Sequence, residues 1–241
     1  MRVVRNPSLT IGVTIVVALV AAAIIGPILV RADPISIDLA DILAGPSRTH
    51  PFGCDALGRD VLARILWGAR LSLSISTIVV AISLVVGSLI GATAALAGGR
   101  IDNLVMRGVD IVLAFPGILL AIALAAILGP GLIDLVIALT AMGWTGYARI
   151  VRGEVLTLRE REYVLAAETL GASRSRLLMR HLLPGVVGPL AVQATFGIGG
   201  IIGAEAALSF LGLGAIPPTP SWGNMLDAGR AFLLVAPHLT T

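Results

Sequence analysis

Long stretches without a charged residue alternate with short charged stretches along this chain. An α-helix rises about 1.5 Å per residue, so about 20 apolar residues cross a hydrocarbon core roughly 30 Å thick. The pattern predicts an all-α, polytopic membrane protein with a single membrane domain. We predict transmembrane helices at residues 10–30, 71–97, 111–128, 135–151 and 185–213.

Three of these helices carry features that modify a regular span. Pro116 removes a backbone hydrogen bond and crowds the preceding turn, so we expect a kink in the third helix. The uncharged part of the fourth helix is short, so we expect it to be buried among other helices. Trp144 and Tyr147 are expected near its inner end, at the membrane interface. Small residues in the fifth helix permit close packing, either within the chain or against a second subunit.

Residues 149–184 are strongly charged, and their pattern predicts two short helices. The first covers residues 158–170 and ends at Gly171, which suits the left-handed backbone just past a helix end. Ser173 is a candidate N-cap for the second helix. Pro184 is expected to close that helix, because the residue before a proline avoids the α region.

One side of the first short helix is a candidate docking surface. Tyr163, Ala166, Ala167 and Leu170 fall on this side at helical spacing, and small alanines beside a glycine let another protein approach closely. The pattern fits a helix that sits in a groove of a soluble partner. It fits equally well an amphipathic helix on the membrane surface.

The arginines predict which segments face the cytoplasm. Seven of the 17 arginines lie within residues 149–184, and cytoplasmic loops are enriched in basic residues. Four crossings also return the chain to the side of its N-terminus. Both routes place residues 1–9 and 149–184 in the cytoplasm and residues 31–70 outside, in a multi-pass protein.

Composition excludes several chemistries. The chain is 57% hydrophobic and 13% charged, whereas soluble proteins are roughly 25% charged. It contains no lysine, so it has neither a P-loop lysine nor a Schiff-base amine. The single cysteine and three scattered histidines predict no disulfide, no metal site and no catalytic residue. The arginines lie at the ends of apolar runs, so the pI near 10.0 does not indicate nucleic-acid binding.

The end of the charged stretch resembles the "EAA loop" of bacterial ABC importer permeases. The usual form of that loop is E-A-A, three residues, G, nine residues and I-x-L-P. Leu165 stands where Glu is usual, and His181 stands where Ile is usual. The matching residues are Ala166, Ala167, Gly171, Leu183 and Pro184.

Other motifs resemble the dipeptide/oligopeptide/nickel branch of that family, and specifically the second of its two permeases. They are HPFGCDALGRD from residue 50, GWTGYARIVRGEVLTLREREYV from residue 143 and EAALSFLGLGAIPPTPSWGNML from residue 205. The resemblance implies a type I ABC importer transmembrane domain in residues 71–241. Relatives form a sixth transmembrane helix where residues 231–241 begin an apolar run, so the sixth helix is expected to be cut short here.

The resemblance also implies a location in the bacterial plasma (inner) membrane, a function and a set of partners. The chain would form half of a translocation path for peptides and couple to separate ATPase subunits that hold ATP and Mg, with no cofactor of its own. The implied partners are a homologous second permease, two ATP-binding subunits, an extracytoplasmic substrate-binding protein and membrane lipid. The residues expected to dock on the ATPase are Tyr163, Ala166, Ala167, Glu168, Leu170, Gly171 and Ala172, and Pro184 would fix the return into the membrane.

Glu205 is an acidic residue deep in the fifth span, where ionisable groups are paired or face water. We expect a structural partner for it, such as an arginine of the outer segment, and direct substrate contact is the alternative. Ser209 and Phe210 are further candidates for the path or its gate. In the outer segment, Asp60 and Arg64 are expected to pair at i, i+4 spacing.

Several functional alternatives stay open at this stage. The outer segment, residues 31–70, fits a structural plug or a contact with an extracellular binding protein. Residues 215–223, with three prolines, fit a gate or a rigid connector, and Trp222 is expected at the interface. For the whole chain the alternatives are import of nickel or another small solute, an ion-coupled secondary transporter, or a membrane scaffold.

Overall fold

The structure is a computed structural model that describes residues 7–30 and 32–240, apart from the side chain of Leu9. Within these ranges the chain is helical, without a named strand. The predicted cytoplasmic arginines Arg2 and Arg5 lie outside the described residues. The α-helices are α1 Pro7–Leu29, α2 Val61–Ala97, α3 Gly99–Ala114, α4 Gly117–Leu128, α5 Leu132–Arg159, α6 Glu162–Thr169, α7 Arg174–Leu177, α8 Leu183–Phe210 and α9 Trp222–Arg230.

Three helical stretches in the described chain are long and apolar enough to cross a membrane. They are Thr10–Leu29, Val61–Ala97 and Arg174–Phe210, and α3 with α4 would make a fourth if the bent pair counts as one span. The all-α membrane class is thereby confirmed. The span predicted at residues 135–151 lies inside α5, which is not one of these stretches, so its crossing stays a prediction.

Two predicted helix boundaries were wrong. The second span does not start at residue 71, because α2 begins at Val61, where the Asp60 carboxylate accepts a hydrogen bond from the Ala63 amide at 2.7 Å. The third span is not one helix with a kink, because α3 and α4 meet at 86°. Phe115 before the proline is extended, with φ −85° and ψ 136°, as steric crowding by proline requires.

Residues 231–240 do not begin a sixth helix. They form turns and a short 3₁₀ helix at Pro237–Leu239. The apolar side chains in this stretch include Leu234, which is fully exposed. Residues 231–240 thus form no long helix, and the sixth span that the resemblance implies stays a prediction.

The chain is organised as two compact units, each assembled from segments that are separated in the sequence. The first comprises Met1–Ile75, Gly129–Leu135 and Glu205–Thr241, and the second comprises Ser76–Leu128 and Val136–Ala204. Helices α2, α5 and α8 each contribute residues to both units.

In the second unit, α2 and α5 pack at very short range. Gly87 and Gly91 make this possible, since a Cβ at either position would lie 2.3 Å or 2.2 Å from the carbonyl oxygens of Trp144 and Ala148. Tyr147 is only 3% exposed in the resulting core, so its predicted place at the membrane interface is wrong. The core cluster consists of Val80, Ala92, Ala95, Tyr147, Val151, Val155, Val164, Leu177, Leu182, Val186 and Leu190.

In the first unit, the outer segment is fastened to the start of α2 by polar contacts. The predicted Asp60–Arg64 pair is wrong, because each residue has another partner. Asp60 contacts His50 Nδ1 at 2.8 Å, while Arg64 lies 3.4 Å from the Asp55 carboxylate and donates to the Pro34 carbonyl at 2.9 Å. An aspartate before the first helical residue satisfies free backbone amides, which holds Asp60 away from Arg64.

Trp222, which was predicted at the membrane interface, is bonded to another helix of the first unit. Its Nε1 donates to the Ile65 carbonyl of α2 at 3.1 Å. Ser221 caps the start of α9, since its side chain accepts a hydrogen bond from the Asn224 amide at 3.3 Å. The proline-bearing loop before them is therefore anchored on α2 at its C-terminal end.

Cys54 provides a chemical test of this outer segment. It is fully buried, and burial followed by the charges of nearby aspartates raises the pKa of its thiol. Only the thiolate is a good nucleophile. Because the pKa is raised, the reactive fraction is small at neutral pH and grows only as the pH rises above the usual cysteine range.

We expect maleimide to label native Cys54 much more slowly than an exposed cysteine, because the side chain is fully buried and its raised pKa lowers the thiolate fraction. The matched control is Phe52→Cys in a Cys54→Ala background, because Phe52 is 51% exposed two residues away. Labelling rates are read by mass spectrometry at neutral pH and again after denaturation. Equal labelling rates for the two cysteines in the native protein would contradict the burial of Cys54 in the outer segment.

Candidate functional site

The charged stretch between α5 and α8 is built as a helix, a turn and a second helix. The predicted helix over residues 158–170 is wrong as one element, because α5 ends at Arg159 and α6 starts at Glu162. Arg161 between them is extended, with φ −73° and ψ 140°. This change of direction brings Val164 of α6 into the core of the second unit, where it is 1% exposed.

The turn after α6 confirms the predicted left-handed backbone at Gly171. Its φ is +83°, a left-handed conformation that favours glycine. The Gly171 amide donates to the Glu168 carbonyl at 2.9 Å, and the Ala172 amide donates to the Ala167 carbonyl at 3.0 Å. These two bonds form a Schellman motif, which satisfies the last carbonyls of α6.

The second helix begins as predicted but does not end as predicted. The Ser173 side chain accepts a hydrogen bond from the Arg176 amide and caps α7. The expectation that Pro184 closes the helix is wrong, since the chain stays helical through it into α8. A π-helical turn at Leu178–Leu182 precedes Pro184, and the Leu183 amide there bonds back to the Leu178 carbonyl. This wider turn accommodates a proline that would clash in a regular helix.

The predicted docking residues fall into two groups. Tyr163 is 50% exposed, Leu170 is 88% exposed, and Ala166, Glu168 and Gly171 are also exposed. Ala167 and Ala172 are instead half-buried and pack against the core cluster. Pro184 is exposed in the first turn of α8. The surface of α6 and its turn therefore exposes Tyr163, Ala166, Glu168, Leu170 and Gly171; we call these five residues the α6 face.

The two departures from the EAA pattern both have structural consequences. His181 stacks on the Tyr163 ring, with centroids 6.5 Å apart and planes inclined by 25°, so it supports one member of the α6 face. Leu165 is 47% exposed and lines a surface groove of about 520 Å³ together with Leu156, Arg159, Glu160 and Glu168. Sequence reasoning gave neither contact.

Glu205, the candidate path residue, lies in the first unit and is fully buried. Its carboxylate accepts hydrogen bonds from the hydroxyls of Ser72 at 2.7 Å and Ser209 at 2.8 Å. The expected arginine partner is therefore wrong, because hydroxyls occupy both carboxylate oxygens. The i, i+4 spacing of Glu205 and Ser209 is visible in the sequence, whereas Ser72 lies 133 residues away and left no such signal.

Phe210 follows on α8, and its ring lies 5.0 Å from the guanidinium carbon of Arg230. This distance fits a cation–π contact. Within the described ranges, no group of three or more His, Cys, Asp or Glu side chains could hold a metal ion.

Comparisons with known proteins agree with these motifs. Residues 83–239 match the family described as binding-protein-dependent transport system inner membrane component. The chain is 42% identical over 97% of its length to the dipeptide transport system permease protein DppC of Alkalihalophilus pseudofirmus, and it covers 77% of that protein. It is 44% identical over 84% of its length to the glutathione transport system permease protein GsiD of Shigella dysenteriae, and it covers 67% of that protein.

A third relative is the dipeptide transport system permease protein DppC of Bacillus subtilis. The two chains are 40% identical over 97% of this one and 73% of the relative. Identity at this level, over nearly the whole chain, shows common descent and a common membrane architecture. The chain belongs to the family of binding-protein-dependent inner-membrane transport components, the non-catalytic permease subunits of ABC importers.

Proposed function

We propose that this chain forms half of the membrane path of an ATP-driven peptide importer and that the α6 face docks on an ATPase subunit. The observation that carries the docking proposal is the contrast between the two sides of α6. Val164 is 1% exposed in the core, while Leu170 at the following turn is 88% exposed. A helix that packs one side into the core and presents an apolar side chain on the other can dock in the groove of a partner.

The anchoring of α6 explains how docking would move the membrane part. The core cluster that holds Val164 also contains Val151 and Val155 of α5, Ala92 and Ala95 of α2, and residues of α8. Packed interiors transmit displacement rather than absorb it. A displacement of α6 would therefore be transmitted to α2, α5 and α8 within the second unit.

The proposed assembly is the one that the family resemblance implies. It contains this chain, a homologous second permease, two ATP-binding subunits that carry ATP and Mg, and an extracytoplasmic substrate-binding protein, all in or on the lipid bilayer. The peptide substrate is proposed because two relatives are named for dipeptide transport and one for glutathione transport. The N-terminus and residues 149–184 are placed in the cytoplasm, as the distribution of arginine favours.

The direct test is affinity purification of the tagged chain from its native membrane, followed by mass spectrometry. We expect an ATP-binding subunit to be recovered, and uptake of a labelled dipeptide to require ATP. Recovery of the chain alone in mild detergent would contradict the proposal. Uptake that survives ATP depletion but stops when the ion gradient is collapsed would contradict it as well.

The α6 face gives a sharper version of this test. We expect Leu170→Glu to reduce recovery of the ATP-binding subunit by about thirtyfold, because burying a leucine side chain contributes about 2 kcal/mol. Thr157→Glu is the control, since Thr157 lies on α5 outside the α6 face. Equal recovery with the two variants would show that docking does not use Leu170.

A further inference from the structure

An ion pair links α5 to α3 in the second unit. Arg152 donates from Nε to Asp102 Oδ1 and from Nη2 to Asp102 Oδ2, both at 2.6 Å. Asp102 is 7% exposed, and the two residues are 50 positions apart in the chain. Two parallel bonds between a guanidinium and a carboxylate fix orientation as well as distance.

The pair sits on the helix that leads into the α6 face. Arg152 lies between Val151 and Val155, and both valines belong to the core cluster that holds Val164 of α6. Two residues of α5 thus join it to α6 through apolar packing, and Arg152 joins it to α3. Displacement of α6 would reach Asp102 through a short chain of contacts.

Helix α3 buries little of its surface. Its buried residues are Asp102 and Val109, whereas Ile101, Leu104 and Ile111 are 60–73% exposed. With so little apolar burial, the polar contacts of α3 determine where the helix is held. A second ion pair of α3 joins Asp110 to Arg149 of α5. Its side chains are 63% and 57% exposed, and exposed ion pairs contribute little to stability.

Helix α3 ends at the break before α4, and α4 leaves it at 86°. Gly117, the first residue of α4, also faces α5, since a Cβ there would lie 2.7 Å from the Met142 side chain. Pro116 has no backbone N–H, so the helical hydrogen-bond ladder is interrupted between α3 and α4. The α3–α4 break is thus a hinge between two helices, and Arg152 holds α3, the helix on one side of it.

We infer that the Arg152–Asp102 pair is a positioning pair that transmits movement of α6 to the α3–α4 break. The inference rests on the proposed docking of α6. It assigns to Asp102 a role in ATP-driven conformational change rather than in binding a partner. This pair is partly buried, with the Arg152 side chain 30% exposed and the Asp102 side chain 10% exposed. Ion pairs taken out of water are weak sources of stability but can fix geometry, which fits this role.

The test follows α3 directly with a chemical label. Ala114→Cys is introduced in a Cys54→Ala background, because Ala114 is the exposed last residue of α3. The transporter is purified with its ATP-binding subunit, and maleimide labelling rates are compared without nucleotide and with ATP plus vanadate. We expect the rate to change by at least about fivefold, the low end of typical coupling between sites.

In the Asp102→Asn variant, we expect the two labelling rates to become nearly equal while the ATP-binding subunit is still recovered. The matched control is Asp110→Asn, which breaks the neighbouring exposed pair and should leave the ATP effect unchanged. Arg152→Lys keeps the charge but replaces the two parallel bonds with a point contact, so it should give an intermediate effect. It also serves as the test if Asp102→Asn fails to fold.

Two results would overturn the inference without touching the proposed function. One is an unchanged effect of ATP on the labelling rate in Asp102→Asn, which would mean that the ion pair has a structural role only. The other is the absence of an ATP effect at Ala114→Cys when the wild-type ion pair is present and the ATP-binding subunit is bound. Failure to recover that subunit with the wild-type chain is a different result, and it would overturn the proposed function itself.

Discussion

Uptake is expected to fall to background when Gly171 is replaced by aspartate, while the protein still inserts into the membrane. Gly171 has φ +83°, and a residue with a Cβ is strained in that conformation by about 1–2 kcal/mol. A Cβ there would meet no atom within 4 Å, so the chain itself presents no clash. The new carboxylate would project from the α6 face beside Leu170, where we propose that the ATPase docks.

The chain contains a matched control for the backbone strain. Gly212 follows α8 with φ +77°, in the same Schellman arrangement, with the Leu213 amide bonded to the Leu208 carbonyl at 2.9 Å. A Cβ at Gly212 also meets no atom within 4 Å. Gly212→Asp therefore imposes similar strain at a helix end outside the α6 face.

The two variants are compared by membrane abundance, recovery of the ATP-binding subunit and dipeptide uptake. We expect similar abundance for both and loss of subunit recovery only for Gly171→Asp. Normal uptake by Gly171→Asp at normal abundance would refute docking at the α6 face. Loss of subunit recovery in both variants would show that strain, rather than the position of the charge, is responsible.

The features that the sequence predicted well are those decided within about one helical turn. Gly171 ends α6 and Ser173 caps α7, because the backbone conformation and the hydrogen bonds at both positions depend on near neighbours. Pro116 separates α3 from α4 by a similarly local effect, since proline restricts the backbone of the residue before it. Pro184 was misjudged because a π-helical turn upstream changes what a proline does to a helix.

The features that the sequence did not predict depend on residues far apart in the chain. Asp60 and Arg64 have the spacing of a helical ion pair, but a backbone amide, His50 and Asp55 compete for them. The break after Arg159 depends on a core that accepts Val164. The Arg152–Asp102 pair joins positions whose proximity exists only in the folded chain. Spacing along one helix gave no signal for such contacts.

Glu205→Ala is expected to reduce the amount of folded protein strongly, whereas Glu205→Gln is expected to be tolerated. Glu205 is fully buried between the Ser72 and Ser209 hydroxyls, so alanine leaves both without their partner and opens a cavity. A lost partner costs about 1–3 kcal/mol for each buried polar group. Serines in helices recover part of this by bonding to their own backbone, as Ser74 does with the Arg70 carbonyl.

Glutamine separates a structural role for Glu205 from contact with substrate. Its amide oxygen can accept from Ser72 and its NH₂ group can donate to the Ser209 oxygen, so the tie between α2 and α8 survives. We therefore expect Glu205→Gln to keep normal abundance in the membrane and an unchanged apparent KM for peptide uptake. A raised KM at normal abundance would instead place Glu205 on the substrate path. That outcome would require the carboxylate to leave its hydroxyl partners during transport, because Glu205 is fully buried in this structure.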